Sequence, residues 1–276
     1  MKKDRLQLKS KYKEILNERR IQGEEMESIR VTMNYFISLK EQGISCIAIT
    51  SHYSNQGKTD IVFKLGQALA TYGVPTLVMD ANYFAPSITE RLQLEEQKGL
   101  LNMLEELEEE SKEEAINISG IYESSQSNLS FFPLGFHNKR KVDNFYIEDK
   151  FIKLIESLKK RFGMILIEVP DMKHLSYVQS FAQATDTLAL VLKSGELKVS
   201  ESEEVKEKIK SLSKQICCCI FNTEKGNKKK AKTNNVNLII PQIEVRKEEA
   251  SPRGISMGDE KETGDINTNF VKPKLV

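Results

Sequence analysis

The chain has 276 residues, 39% apolar and 29% charged, with 41 Lys and Arg against 40 Asp and Glu. That length fits one α/β domain, or two small ones, with a core that needs neither disulfide nor metal. A formal net charge of +1 argues against bulk electrostatic attraction to nucleic acid, and no run reaches the roughly 18 apolar residues of a membrane helix.

Residues 1–23 form a basic, helix-prone segment in which Lys2, Lys3, Arg5, Lys9, Lys11, Lys13, Arg19 and Arg20 outnumber the acids. It lacks an apolar signal-peptide core, so the expected location is the cytoplasm. Apolar spacing at Met26, Ile29, Met33, Phe36 and Ile37 predicts a helix over Glu24 to Lys40, closed by Gly43. Ile44 to Thr50 reads as a buried strand and Lys58 to Tyr72 as an amphipathic helix, stopped by Gly73 and Pro75. Thr76 to Asp80 is the next strand, which makes a βαβ unit and implies a parallel sheet. Further helices are expected over 100–114, 147–162 and 200–212, and further strands over 128–134, 164–168, 187–192, 215–222 and 238–241. The acidic run from Glu105 to Glu110 reads as a solvated face. Cys217, Cys218 and Cys219 are adjacent in one strand, where neighbours are poorly placed to bridge. They read as core residues, because no His or Cys recurs at metal-ligand spacing. The lysines between 225 and 232 read as a solvated loop, and the polar stretch 244–276 as a disordered tail. Alternating strands and helices predict a doubly wound, mostly parallel sheet over 24–243.

The segment from Ser51 to Thr59 follows a strand and opens a helix. A helix N-terminus offers free N–H groups and a positive dipole end to an anion. Gly57 permits close backbone approach, Lys58 reaches β and γ phosphates, and the Thr59 hydroxyl suits Mg²⁺. His52 stands where the first glycine of the Walker A pattern is usual, and as a P-loop residue it is also placed to meet a phosphate. Asp80 and Glu168 close their strands, at the edge where ligands collect in open parallel sheets. Each is a candidate for holding Mg²⁺.

These segments resemble the bacterial tyrosine kinases (BY-kinases) of capsule and exopolysaccharide synthesis. The likeness covers about residues 24–222. Glu27-Ser-Ile-Arg30-Val-Thr-Met33 matches two of three positions of the E-x-x-R-x-x-R segment through which that family forms rings. Thr50-Ser-His-Tyr-Ser54-Asn55-Gln56-Gly57-Lys58-Thr59 stands for T-S-x-x-P-G-E-G-K-[ST]. Asp80-Ala-Asn82-Tyr-Phe84-Ala-Pro86 stands for the Walker A′ motif D-x-D-x-R-x-P. Gly99 to Leu104, Leu129 to Gly135, Ile165 to Asp171 and Ile220 to Asn222 match four further pieces in order. The resemblance implies a P-loop NTPase fold of the MinD/ParA-like type. It implies ATP and Mg²⁺ as cofactors and nucleotide contacts from Ser54, Asn55, Gln56, Gly57, Lys58, Thr59 and, at the adenine, Asn222. It also implies metal held at Thr59, Asp80 and Glu168, with Lys58, Asp80 and Glu168 as the catalytic set.

The departures matter as much as the matches. Asn82 replaces an acid, and a neutral amide cannot act as general base. Glu168 is longer than the aspartate of the family motif, Met33 replaces the second ring-forming arginine, and no tyrosine follows Tyr177. Tyr53 stands where the ParA/MinD group carries an extra lysine, so the sequence leans toward the kinase branch. The resulting expectation is a cytosolic ATP-binding regulator of exopolysaccharide synthesis with weakened kinase activity. Its expected partner is a membrane polysaccharide co-polymerase, which would recruit it to the inner membrane face, and Glu27 and Arg30 would support a homo-oligomer. The alternatives are an active tyrosine kinase, a nucleotide-free scaffold and a ParA/MinD-like ATPase.

Overall fold

A computed structural model describes residues 24–109, 118–136, 149–224 apart from 198, 213 and 215, and 234–239. The basic segment 1–23, the acids beyond Glu109, the lysine cluster and the tail 244–276 lie outside the described residues.

Two short apolar strands carry the architecture. In β1 (Cys46–Ser51) and β5 (Met164–Glu168) every residue is buried, as expected of strands covered on both faces. They pair in parallel, Ile47 opposite Leu166. β2 (Thr76–Asp80) lies on the far side of β5, and β6 (Thr187–Lys193) on the far side of β1. With β3 (Tyr122–Glu123), β4 (Leu129–Phe132), β7 (Ile216–Glu224) and β8 (Asn234–Ile239), the order is β3-β4-β2-β5-β1-β6-β7-β8. The six inner strands are parallel, and the two edge strands run antiparallel.

Helices cover both faces. α1 (Glu24–Glu41), α2 (Lys58–Thr71) and α3 (Ser87–Arg91) bury Ile29, Phe36, Ile61, Leu65 and Ile88 on one side. α4 (Leu100–Glu109), α5 (Asp149–Lys159), α6 (Leu175–Ala184) and α7 (Ser202–Ser211) bury Leu101, Phe151, Phe181 and Val205 on the other. The doubly wound, mostly parallel sheet read from the sequence is the one observed. The Tyr35 hydroxyl ties α1 to β7 by donating to the Cys217 carbonyl at 2.8 Å. Cys46, Cys217 and Cys218 are buried in strands, as core residues.

Element limits differ modestly from the sequence reading. The strand expected from Ile44 begins at Cys46, and the final strand begins earlier, at Asn234. α6 had no counterpart in that reading. Its sequence, LSYVQSFAQA, is rich in small and polar residues, and only Val178, Phe181, Ala182 and Ala184 are buried. That apolar stripe is too narrow to announce itself by periodicity.

Gly99 joins two of the sequence pieces. Leu100 and Leu101 donate their N–H groups to the carbonyls of Pro133 and Leu134, both at 2.9 Å. A Cβ at Gly99 would lie 2.2 Å from the Pro133 carbonyl oxygen and 2.5 Å from the Gly135 nitrogen. Those neighbours are backbone and cannot rotate away. Gly99→Ala is therefore expected to destabilise the protein by roughly 2–3 kcal/mol, and alanine is also a poorer residue than glycine just before a helix. Urea unfolding of the two proteins checks this, and equal midpoints would refute the close contact.

Candidate phosphate-binding site

β1 ends in the loop 52–57, β2 ends in Asp80 and β5 ends in Glu168. Because β5 pairs with both β1 and β2, these three ends meet at the carboxyl edge of the sheet. A cavity of about 320 Å³ opens there, lined by the loop residues Ser54, Asn55 and Gly57, by Lys58 and Thr59, and by Glu168 on the opposite side.

The loop keeps its shape despite lacking the family Pro-Gly pair. Asn55 adopts φ +60°, the left-handed region that asparagine tolerates best among side-chain-bearing residues. Gly57 follows at φ +81° and leads into α2. The Gln56 side chain folds back into the loop, where its Oε1 accepts N–H groups from His52 at 3.1 Å and Tyr53 at 3.3 Å. Thr50 Oγ1 anchors the loop base by donating to the Pro170 carbonyl at 2.7 Å.

Lys58 is 7% exposed, and its Nζ donates to the Val169 carbonyl at 2.6 Å. Thr59 Oγ1 donates to Glu168 Oε1 at 2.9 Å. Glu168 Oε2 is buried with no partner. Burial pushes the Glu168 carboxyl up to about 7, an effect that the Lys58 charge opposes and Asp80 reinforces. Burial likewise lowers the Lys58 ammonium, against the pull of Glu168, Asp171 and Asp80.

Asp80 is used differently from Glu168. Its Oδ1 accepts the Asn82 N–H at 3.1 Å, and its Oδ2 accepts from the Thr89 N–H at 2.9 Å and the Thr89 hydroxyl at 2.8 Å. It is fully buried, and burial raises it to about 6 against the effect of those hydrogen bonds. Asp80 thus organises the 81–89 loop from beneath and does not join Glu168 in lining the cavity. Asn82 does line it. Its side chain lies beside Glu168 and favours the charged carboxylate, where an aspartate would repel it.

Three other residues named for this site from the sequence, His52, Gln56 and Asn222, lie outside the cavity lining. His52 is fully buried with neither ring nitrogen partnered, and it is not among the cavity-lining residues. The glycine position it occupies has been filled by a packed ring, 4.0 Å from the Tyr53 ring centre. Asn222 donates from Nδ2 to the Gln56 carbonyl at 3.1 Å and is likewise absent from the lining. Glu27 and Arg30 form an ion pair within α1 at 3.1 Å.

Several cavity residues were not legible beforehand. Asp171 lines it while its Oδ1 accepts the Lys173 N–H at 3.0 Å. Phe84 and His174 form a stacked wall, ring centres 3.5 Å apart and 10° from parallel, and Tyr177 meets Phe84 edge-on at 5.1 Å. Asp60 is bridged to Arg91 at 2.5 Å, and the guanidinium lies over the Phe63 ring, 4.6 Å from its centre. Each of these contacts joins segments distant in sequence or depends on a rotamer.

The residues fit a polyphosphate with a hard divalent cation. Thr59 and Glu168 are hydrogen-bonded partners whose oxygens face one cavity with Lys58, and the free Glu168 Oε2 is an acceptor awaiting a positive partner. Among the described residues no group of three or more His, Cys, Asp or Glu is placed to hold a metal. Mg²⁺ needs no such cage, because phosphates and water complete its shell.

No family model matches the chain. Over 208 residues it is 22% identical to the tyrosine-protein kinase YwqD of Bacillus subtilis (strain 168), covering 75% of this chain and 84% of that protein. Over 151 residues it is 24% identical to the succinoglycan biosynthesis transport protein ExoP of Rhizobium meliloti (strain 1021), a match covering 54% of this chain and 18% of that protein. The kinase domain of the Escherichia coli tyrosine kinase ETK superposes with a TM-score of 0.62 at 15% identity, over 75% of this chain and 79% of that one. A plasmid partition protein from Borrelia burgdorferi bound to AMPPNP superposes with a TM-score of 0.50 at 16% identity, over 68% and 78%. The resemblance to the bacterial tyrosine kinases is thus found again in sequence and in fold, and a plasmid partition protein shares the fold.

The buried acids make stability depend on pH. Glu168 holds its proton more tightly folded, near 7, than unfolded, near its ordinary 4.5. Its contribution is complete below the unfolded value and is lost as pH rises through the folded one. In chelator-treated protein, Glu168→Gln is expected to be more stable than the parent at pH 8, by on the order of 2 kcal/mol. The advantage should vanish near pH 5. Urea unfolding at both pH values tests this, and a pH-independent difference would contradict a neutral, buried Glu168.

Proposed function

We propose that this protein is an ATP-binding P-loop protein of the bacterial tyrosine kinase type, acting as a regulator of exopolysaccharide synthesis with weak phosphoryl-transfer activity. The observation that supports it most directly is the joint facing of Lys58, Thr59 and Glu168 into one cavity at the N-terminus of α2. In this reading Lys58 leaves the Val169 carbonyl to neutralise phosphate oxygens, and the first-turn N–H groups of α2 cradle the phosphate chain. Thr59 and Glu168 would hold Mg²⁺, which would screen phosphate charge when bound. Asp80 supports the site by fixing the 81–89 loop through Thr89.

Weak transfer follows from the groups facing the cavity. Asn82 cannot accept the proton of an attacking hydroxyl. Glu168 is the buried acid facing the cavity, and its Oε1 is occupied by Thr59. Asp171 and Asp60 are the other carboxylates lining it, Asp60 paired with Arg91. The exopolysaccharide role is supported by the name of one relative, a succinoglycan biosynthesis transport protein, and a membrane co-polymerase is the partner that role implies. In this reading the protein works in the cytoplasm at the inner membrane face; no described helix is long and apolar enough to cross a membrane. Residues 24–243 would form the nucleotide-binding domain, flanked by the basic segment and the polar tail.

Calorimetric titration of Mg-ATP into the full chain and into Lys58→Ala tests the reading. Binding by the parent and a weakening of about 10–100-fold in the variant are expected, the range for losing a charge-assisted phosphate contact. Phosphotyrosine appearing with Mg-ATP would identify an active kinase instead. Absence of any binding by the parent would leave the scaffold reading.

A further inference from the structure

The resemblance assigns Asn222 to the adenine, but its side chain is engaged elsewhere. Asn222 sits on β7 directly over the P-loop. It is 3% exposed, and its Nδ2 donates to the Gln56 carbonyl at 3.1 Å. A Cβ built on Gly57 would lie 2.0 Å from that same Nδ2 and 3.2 Å from Cγ. The amide therefore rests on the glycine that opens α2. Asn222 Oδ1 is buried with no partner, and Asn222 is not among the residues that line the cavity. The backbone of Asn222 is itself fixed, because its carbonyl accepts the Ser194 N–H at 2.9 Å and it pairs in register with Lys193.

The loop has reason to need such a hold. It carries Ser54-Asn55 where the family pattern has Pro-Gly, and proline fixes φ without any partner. Asn55 stands at φ +60°, a less favourable state for asparagine than for glycine. Within the loop, Gln56 secures the N-terminal half through His52 and Tyr53. Its carbonyl, on the C-terminal half, is the atom that Asn222 takes.

We propose that Asn222 is a positioning residue, a latch from β7 that holds Gln56 and Gly57 and thereby sets the phosphate-facing turn Gly57–Thr59, and that it does not read the nucleobase. The inference rests on the phosphate-binding reading for its consequence but not for its geometry. An Asn222 that held the loop would affect every polyphosphate alike, whereas one that read adenine would affect only ligands that carry a base.

Three measurements on the full chain decide it. In nucleotide-free protein, Asn222→Ala should speed amide hydrogen exchange in peptides covering 52–58 about fivefold or more, one hydrogen bond's worth, while β1, β5 and α5 stay unchanged. Unchanged exchange at 52–58 overturns the latch. In titrations with Mg²⁺, Asn222→Ala should weaken ATP and inorganic triphosphate by the same factor, about tenfold. A loss confined to ATP overturns it in favour of base reading. Finally, Gly57→Ala should lower the urea midpoint less in the Asn222→Ala background than in the parent, because the Cβ then meets no amide. Additive shifts would count against the contact. Should the parent bind neither ligand, the phosphate-binding reading falls, and the exchange and double-variant results still decide the latch.

Discussion

Asp80 and Glu168 stand opposite each other on adjacent parallel strands, almost wholly removed from water. Two carboxyls so placed cannot both ionise cheaply, since desolvation and mutual repulsion each penalise the second charge. The site is organised around relieving that conflict. Asp80 is given three hydrogen bonds from the 82–89 segment. Glu168 accepts from the Thr59 hydroxyl on Oε1, with the Asn82 amide beside it, and its Oε2 is buried without a partner. Lys58 lies among them, its own charge disfavoured by burial. The acid with satisfied lone pairs has become a structural support, and the acid with an unsatisfied one is the one facing the cavity.

Viewed this way, the substitution that erases a family acid also has a physical benefit. An aspartate at 82 would add a third carboxyl beside a pair that already repels. The amide of Asn82 removes that charge and favours the charged state of Glu168. The change thus trades proton-accepting capacity for easier ionisation of Glu168. A site modified in that direction suits holding a metal-bound polyphosphate better than activating a hydroxyl.

The sequence was most legible where one local rule dominated. Thr76–Asp80 and Met164–Glu168 were read to the residue, because each is a buried run bounded by a loop or glycine on one side and an acid on the other. The Gly-Lys-Thr at 57–59 announced the turn into α2 for a similar reason. Legibility ended where the deciding contact was distant. Nothing local to Asp80 said that Thr89 would occupy its Oδ2, and nothing near Phe84 predicted His174 stacked on it. Asn222 was assigned by family pattern to a ligand, yet lies 166 positions from the backbone oxygen that holds it. His52 drew attention as a polar residue in a phosphate loop, while packing against Tyr53 gave it an interior place.

The charges lining the cavity carry the argument one step further. Lys58 faces Glu168, Asp171 and Asp60 there, and Asp60 is already neutralised by Arg91. One lysine against two remaining carboxylates gives a wall that is neutral or acidic, depending on the proton at Glu168. Phe84, which stands where the family motif carries arginine, adds no cation. A polyphosphate brings several negative charges into this space, and N–H groups at a helix start offset only about half a charge. If the proposed reading holds, the attraction would be completed by a cation arriving with the ligand, with Glu168 Oε2 as the unpartnered acceptor that could receive it. On the proposed reading a metal would then be less an accessory to chemistry than the condition for entry, because the cavity's own charges would oppose a bare polyphosphate.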